Sequence, residues 1–131
     1  MTDAARTTTV LLEHTLPDGS AHFDWLIERP DDPREHRTIA FRCATDPLAD
    51  PAWTGDRLPD HRAHYLRYEG PVPGGRGSVR RCWSNPCVVL EESERSIRLT
   101  VSMRGTPELA IRPLVARADA WGLAEPPGTG R

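Results

Sequence analysis

Apolar side chains fall on every second position in Ala21–Glu28 (AHFDWLIE). Phe23, Trp25 and Ile27 share one face, and His22, Asp24 and Leu26 share the other. That period of two predicts a strand with Phe23, Trp25 and Ile27 turned inward. Thr7–His14 (TTTVLLEH) is β-branched and apolar and predicts a second strand. Pro17-Asp18-Gly19 lies between them. Proline presets φ and glycine accepts φ > 0, so the pair predicts a hairpin.

Further strands are expected at Arg37–Ala44, His64–Glu69, Ser78–Ser84, Cys87–Glu91 and Ser96–Arg104. Pro30–Arg34, the proline-rich stretch Asp46–Asp60, the wide glycine turn Gly70–Gly77, Asn85-Pro86 and the charged stretch Glu91–Arg95 separate them. Leu109–Leu123 supports two readings. Leu109–Val115 suits a last strand, whereas Leu114, Ala118 and Trp121 mark one face of a short C-terminal helix. Short strands spaced this way predict an all-β, mostly antiparallel fold, a small closed β-barrel. The expected organisation is an N-terminal segment 1–8, one domain over 9–123 and a flexible tail 124–131.

A chain of 131 residues holds one domain with a core of its own. No apolar run approaches the ~20 residues of a membrane span, and nothing suggests collagen or a coiled coil. The first residues lack the apolar stretch of a secretory signal, which predicts a cytoplasmic location. The three cysteines, Cys43, Cys82 and Cys87, are then reduced thiols, and their spacing is not that of a zinc knuckle. Net charge is −2, which argues against a protein that coats nucleic acid. All 17 basic residues are arginine. Genomic base composition explains that bias, although guanidinium also suits phosphate.

If the hairpin turn centres on Asp18, His14 falls opposite His22, with Asp24 one pair further from the turn. Opposed pairs share a face, so two imidazoles and a carboxylate converge on one side of the ribbon. Divalent metals accept that donor set. A second cluster runs from Leu58 to Val79 (LPDHRAHYLRYEGPVPGGRGSV). It contains Asp60, His61 and Tyr65, with Arg57, Arg62, Arg67 and Arg76 around them. Its glycines fit a hairpin turn and do not spell a Walker loop. No Gly-x-Ser-x-Gly nucleophile elbow is present.

Glu13-His14, Ala21-His22-Phe23-Asp24, Asp60-His61-x-x-x-Tyr65 and Tyr68-Glu69-Gly70-x-Val72-Pro73-x-Gly75 resemble the phosphoesterase domain of bacterial DNA ligase D. That family reads roughly His…Leu-His-Tyr-Asp-Phe-Arg-Leu-Glu, then Asp-His-x-x-x-Tyr-x-x-Phe-Glu-Gly-x-Ile-Pro-x-Gly. The resemblance runs from about Thr9 to Arg81. It implies a small barrel with a metal, typically manganese with zinc as the alternative, in a surface groove. The implied activity is removal of a 3′-terminal ribonucleoside and then of the 3′-phosphate. Carried over, His14, His22 and Asp24 hold the metal and His61 and Tyr65 face the phosphate. The implied partners are DNA or RNA–DNA 3′ ends and a separate repair ligase or polymerase, with no membrane.

Three departures accompany the match. Leu26 stands where the family has an arginine, which removes a cation from the phosphate; Arg57 or Arg76 would replace it. The loop between the first two histidines is two residues longer, an even number that preserves their facing. The glycine turn after Pro73 is shorter. Two other readings fit the same residues. One is a barrel that binds nucleic-acid ends without turnover, to which Leu26 points. The other is a 2-His-1-carboxylate iron oxygenase built on His22-x-Asp24…His61.

Overall fold

The double burial of two neighbouring strands sets the architecture. In the computed structural model, which describes residues 6–30, 37–101, 108–114 and 120–124, β1 (Arg6–Thr15) and β2 (Ala21–Glu28) form the expected hairpin. His14 pairs with His22 and Leu12 with Asp24, the register read from the turn. Asp18 accepts hydrogen bonds from the Ser20 amide and hydroxyl at 2.9 and 2.6 Å, which secures the turn. Four consecutive residues in the middle of each strand are buried, Thr9–Leu12 and Asp24–Ile27. Alternate side chains cannot all be buried by one layer, so both faces of this ribbon must be covered.

One cover is the barrel itself. β2 pairs with β3 (Arg37–Cys43), and β3 with β4 (Thr54–Arg62). β5 (Gly70–Pro71) pairs with the first residues of β6 (Ser78–Glu92). β7 (Ile97–Val101), β8 (Leu109–Pro113) and β9 (Ala120–Ala124) carry the sheet from β6 back to β4. Pairing of β1 with β6, from Arg6↔Val88 to Thr15↔Ser78, closes an antiparallel eight-stranded barrel with β5 appended outside the ring. Phe23, Trp25 and Ile27 do point inward, joined by Leu11, Ile39, Phe41, Leu99, Ile111 and Trp121. Trp53, just before β4, plugs this core. Its ring meets Trp25 and Phe41 edge-on, with centroids 5.2 and 5.5 Å apart. The Trp25 indole N–H donates to Thr9 Oγ1 at 2.7 Å, and that hydroxyl donates to the Leu26 carbonyl at 2.8 Å.

The second cover lies outside. Val10, Leu12, Leu26 and Ala40 form an outward apolar patch. Leu66, Val72, Tyr65 and Tyr68 pack on it from the segment that leaves β4. This flap begins as a 3-10 helix, Ala63–Leu66, and returns through β5 into β6. No helix among the described residues is long and apolar enough to cross a membrane.

Several local expectations change. Thr54–Asp60 is strand, because its one proline, Pro59, sits at an irregular stretch of the β3–β4 ladder between Thr38 and Ala40. His64–Glu69 is not a strand but includes the 3-10 helix. Asn85-Pro86 does not divide two strands; both pair with β1 inside β6. The short C-terminal helix is replaced by strand, since Ala120–Ala124 hydrogen-bonds to β4 and β8; residues 115–119 lie outside the described set. Arg6–Thr8, expected in a terminal segment, belong to β1, while most of the expected tail lies outside the described residues.

Thr9→Val should strand the buried Trp25 N–H without an acceptor. A loss of about 1–3 kcal/mol is expected, read as a lower guanidinium midpoint with unchanged slope. An unchanged midpoint would show that this hydroxyl is dispensable.

Candidate functional site

Beyond the covered patch, the same outward face becomes polar. His22 and Asp24 precede Leu26 at alternate positions of β2, and His14 follows Leu12 on β1. His14, His22 and Asp24 form a group that can hold a metal ion, with one donor atom from each lying within 4.8 Å of the others. Asp24 is 6% exposed. His22 Nε2 stands 3.3 Å from Asp24 Oδ1, and His14 Nδ1 lies 3.7 Å from Asp24 Oδ2. His22 Nε2 and Asp24 Oδ1 are buried without a hydrogen-bond partner among the described residues. Two orphaned donor atoms of complementary type, side by side, fit a cation held between them.

The ring orientations suit this role. His14 Nε2–H donates to the Arg76 carbonyl at 2.7 Å, leaving the Nδ1 lone pair toward Asp24. Gly77 makes that bond possible. It has φ 92°, and a Cβ there would run into the Thr15 carbonyl, so only glycine lets this turn lie against β1. Burial is the main reason that the His22 pKa lies below its ordinary value; Arg42 and His14 lower it further against the opposing pull of Asp24. The neutral imidazole that ligation requires is therefore the favoured form.

A groove of about 580 Å³ opens beside the group. His14, Asp24 and Arg42 line it together with His61, Tyr65 and Arg76. The structure thus brings His61 and Tyr65 to the same opening as His14 and Asp24, although they come from the end of β4 and the 3-10 helix. His61 Nδ1–H donates to the Pro59 carbonyl at 3.1 Å, which leaves Nε2 free as the working atom. The His61 and Tyr65 rings are 6.2 Å apart, edge to face. His61 stands outside the donor group; His14 takes the place that the iron series gave it.

Neither a family model nor a curated protein matches this chain.

The structure places the two expected arginines differently. Arg57 is not brought to the groove. It pairs with inward-facing Phe41, stacks over Phe41 and Trp121 at 5.6 and 5.3 Å, and lies 3.9 Å from Glu92. Arg76 does line the groove, and its Nε donates to the Pro73 carbonyl at 2.7 Å. The residue that sequence reasoning missed is Arg42. It pairs directly with Asp24 across β2–β3, shares the outward face and lines the groove. A register for β3 would have found it, but Pro30–Arg34 gives no tight turn from which to count. Leu26 is fully buried beneath the flap, so no arginine could reach the groove from there without exposing the apolar patch. Asp60, adjacent to His61, is held by a two-pronged ion pair to Arg29, with N–O distances of 2.7 and 3.2 Å, and Glu92 grips the same guanidinium. Its carboxylate anchors the end of β4.

Titration calorimetry should find one divalent ion bound per chain, lost in Asp24→Asn and retained in His61→Ala. Gly77→Ala should weaken it about ten- to a hundredfold by displacing the carbonyl that orients His14. Unchanged affinity in Asp24→Asn would remove the assignment.

The lowered His22 pKa also fixes the sign of a pH effect. As pH falls, the unfolded chain takes up this proton before the folded one does. In metal-free protein the stability is complete above about pH 6.5 and falls below it, until the folded imidazole also protonates. Denaturation midpoints measured across that range should decline, and His22→Gln should flatten the decline.

Proposed function

We propose that this chain is a metal-dependent phosphoesterase acting on the 3′ ends of nucleic acid, removing a 3′-phosphate or a 3′-terminal ribonucleotide in DNA end repair. The reading is supported by one observation above the rest. His14 and Asp24, two members of a group suited to a divalent ion, line one groove with His61, Tyr65, Arg42 and Arg76. Manganese is the metal proposed, with zinc as the alternative, and the cytoplasm the compartment.

His14, His22 and Asp24 would hold the ion, which when bound supplies Lewis-acid polarisation of a phosphate oxygen and a more acidic water. The other steps fall to the chain itself. Arg42 and Arg76 offer guanidinium donors to the phosphoryl oxygens, where negative charge grows as the P–O bond to the nucleic acid breaks. Leu26 takes no part in this. Arg42 enters the groove from the neighbouring strand and supplies a cation that the motif comparison left missing. Water adds to phosphorus, and the departing 3′ oxygen needs a proton. His61, with Nδ1 tied to the Pro59 carbonyl, presents Nε2 to deliver it, as a positioned histidine does in general acid catalysis. The Tyr65 hydroxyl orients a phosphate oxygen. Asp60 takes no proton; its pairing with Arg29 keeps His61 at the groove wall.

The metal-loaded protein should release inorganic phosphate from a 3′-phosphorylated oligonucleotide, and chelator should abolish the release. His61→Ala should lower turnover about 10²- to 10⁴-fold while metal content stays constant. Arg42→Gln should cost roughly ten- to a hundredfold, as loss of a charge-assisted contact does. Binding of the phosphorylated end without turnover would favour the non-catalytic reading, and oxygen uptake by iron-loaded protein would favour the oxygenase.

Leu26→Arg offers a structural check. It should destabilise the fold by burying an unpaired charge, without raising turnover. A faster and equally stable variant would contradict the packing under the flap.

A further inference from the structure

The flap carries rings as well as Leu66 and Val72. His61 and Tyr65 line the groove, and the series continues away from it. Tyr65 and His64 have centroids 5.0 Å apart, and His64 lies over Tyr68 at 4.6 Å with the planes only 32° apart. Tyr65 and Tyr68 rest on the apolar patch, and the Tyr68 hydroxyl donates to the Pro71 carbonyl, so both rings are held from beneath. His64 is exposed and stands outside that packing. Core burial accounts for the tyrosines but not for an imidazole laid on top of one of them.

The charges around the rings point to the occupant. Arg62 and Arg67, on either side of the 3-10 helix, are exposed. Neither makes an ion pair with any described residue, whereas Arg29, Arg57, Arg80, Arg81 and Arg98 all have carboxylate partners. Arg6, Arg95 and Arg112 likewise make no ion pair with a described residue, so what sets Arg62 and Arg67 apart is their place on either side of the stacked rings, in a chain of net charge −2. Aromatic faces fringed with guanidinium groups suit unpaired nucleobases joined by phosphates. A duplex conceals the base faces in its own stack, so a single strand fits this surface better.

We propose that His64, with Tyr65 and Tyr68 beneath it, is a stacking platform for the bases of a single-stranded DNA 3′ tail, and that Arg62 and Arg67 take its phosphates. The proposal rests on the phosphoesterase reading for the fate of the terminus, since Tyr65 joins the platform to the groove. The ring series sets the path of the strand, with its end at His61 and the preceding bases on the flap.

Binding and chemistry can be measured separately. Fluorescence anisotropy in chelator should show oligothymidylate with a 3′-phosphate binding more tightly than a blunt duplex of the same length. His64→Ala should weaken single-strand binding at least about fivefold. His64→Phe should restore it, because a ring face is what the base requires. Replacing Arg62 and Arg67 by Gln should flatten its salt dependence. Metal-dependent phosphate release from glycerol 3-phosphate, which has no ring to stack, should be the same in His64→Ala and wild type. Equal binding of single strand and duplex, an unaffected His64→Ala or a failed rescue by Phe would each overturn the platform, and the glycerol phosphate assay would then still judge the phosphoesterase reading. Single-strand binding that depends on His64, in a protein that hydrolyses neither ester, would uphold the platform and overturn that reading.

Discussion

Packing of the flap onto Val10, Leu12, Leu26 and Ala40 is the contact on which both barrel and groove depend. A barrel strand ordinarily turns one face to water. Here the outer face of β1, β2 and β3 is apolar through its middle, and leaving it wet would forfeit roughly 1.5–3 kcal/mol for each large side chain. The segment after β4 covers it, entering through the 3-10 helix and leaving through β5. The cover stops short of the hairpin turn. His14, His22 and Asp24 lie on the same outward rows just past its edge, so the wall of the groove and the edge of the flap are one structure. Proximity of His61 and Tyr65 to His14 and Asp24 is a geometric consequence of that packing.

The charges are sorted by the same two faces. Arg57 turns inward and is absorbed by Phe41, Trp121 and Glu92, while Arg29 joins Asp60 to Glu92. These groups secure an end of β4. Arg42 and Arg76 instead line the groove together with Asp24. The cysteines stand apart from the chemistry. Cys43, Cys82 and Cys87 are free thiols, and burial pushes Cys43 up to about 11, which keeps it protonated and unreactive near neutral pH.

The hairpin and its site were legible because the relevant distances in sequence are short. Alternation in Ala21–Glu28 gave the facing, and Pro17-Asp18-Gly19 gave the register. Together they placed His14, His22 and Asp24 on one face. Leu26 was legible only in part. An apolar residue on a row that otherwise carries His22 and Asp24 signals a covered face, but nothing nearby says what covers it. Thr54–Asp60 and Asn85-Pro86 misled for the opposite reason. Their prolines and glycine carry turn propensity, which the pairing of β4 with β3 and of β6 with β1 overrides.

Local pattern by itself determined the all-β class, the inward set of Phe23, Trp25 and Ile27, the first hairpin and the shared face of His14, His22 and Asp24, since each follows from period-two facing and one tight turn. Tertiary structure alone decided that β1 closes on β6, that the C-terminal residues finish as β9, and that Leu26 is buried under a flap. It also decided that Arg42, rather than Arg57, accompanies Asp24. Those outcomes depend on which strands become neighbours and in what register. Long-range pairing is selected by the burial of whole faces, and no short stretch of sequence contains both partners of such a pair.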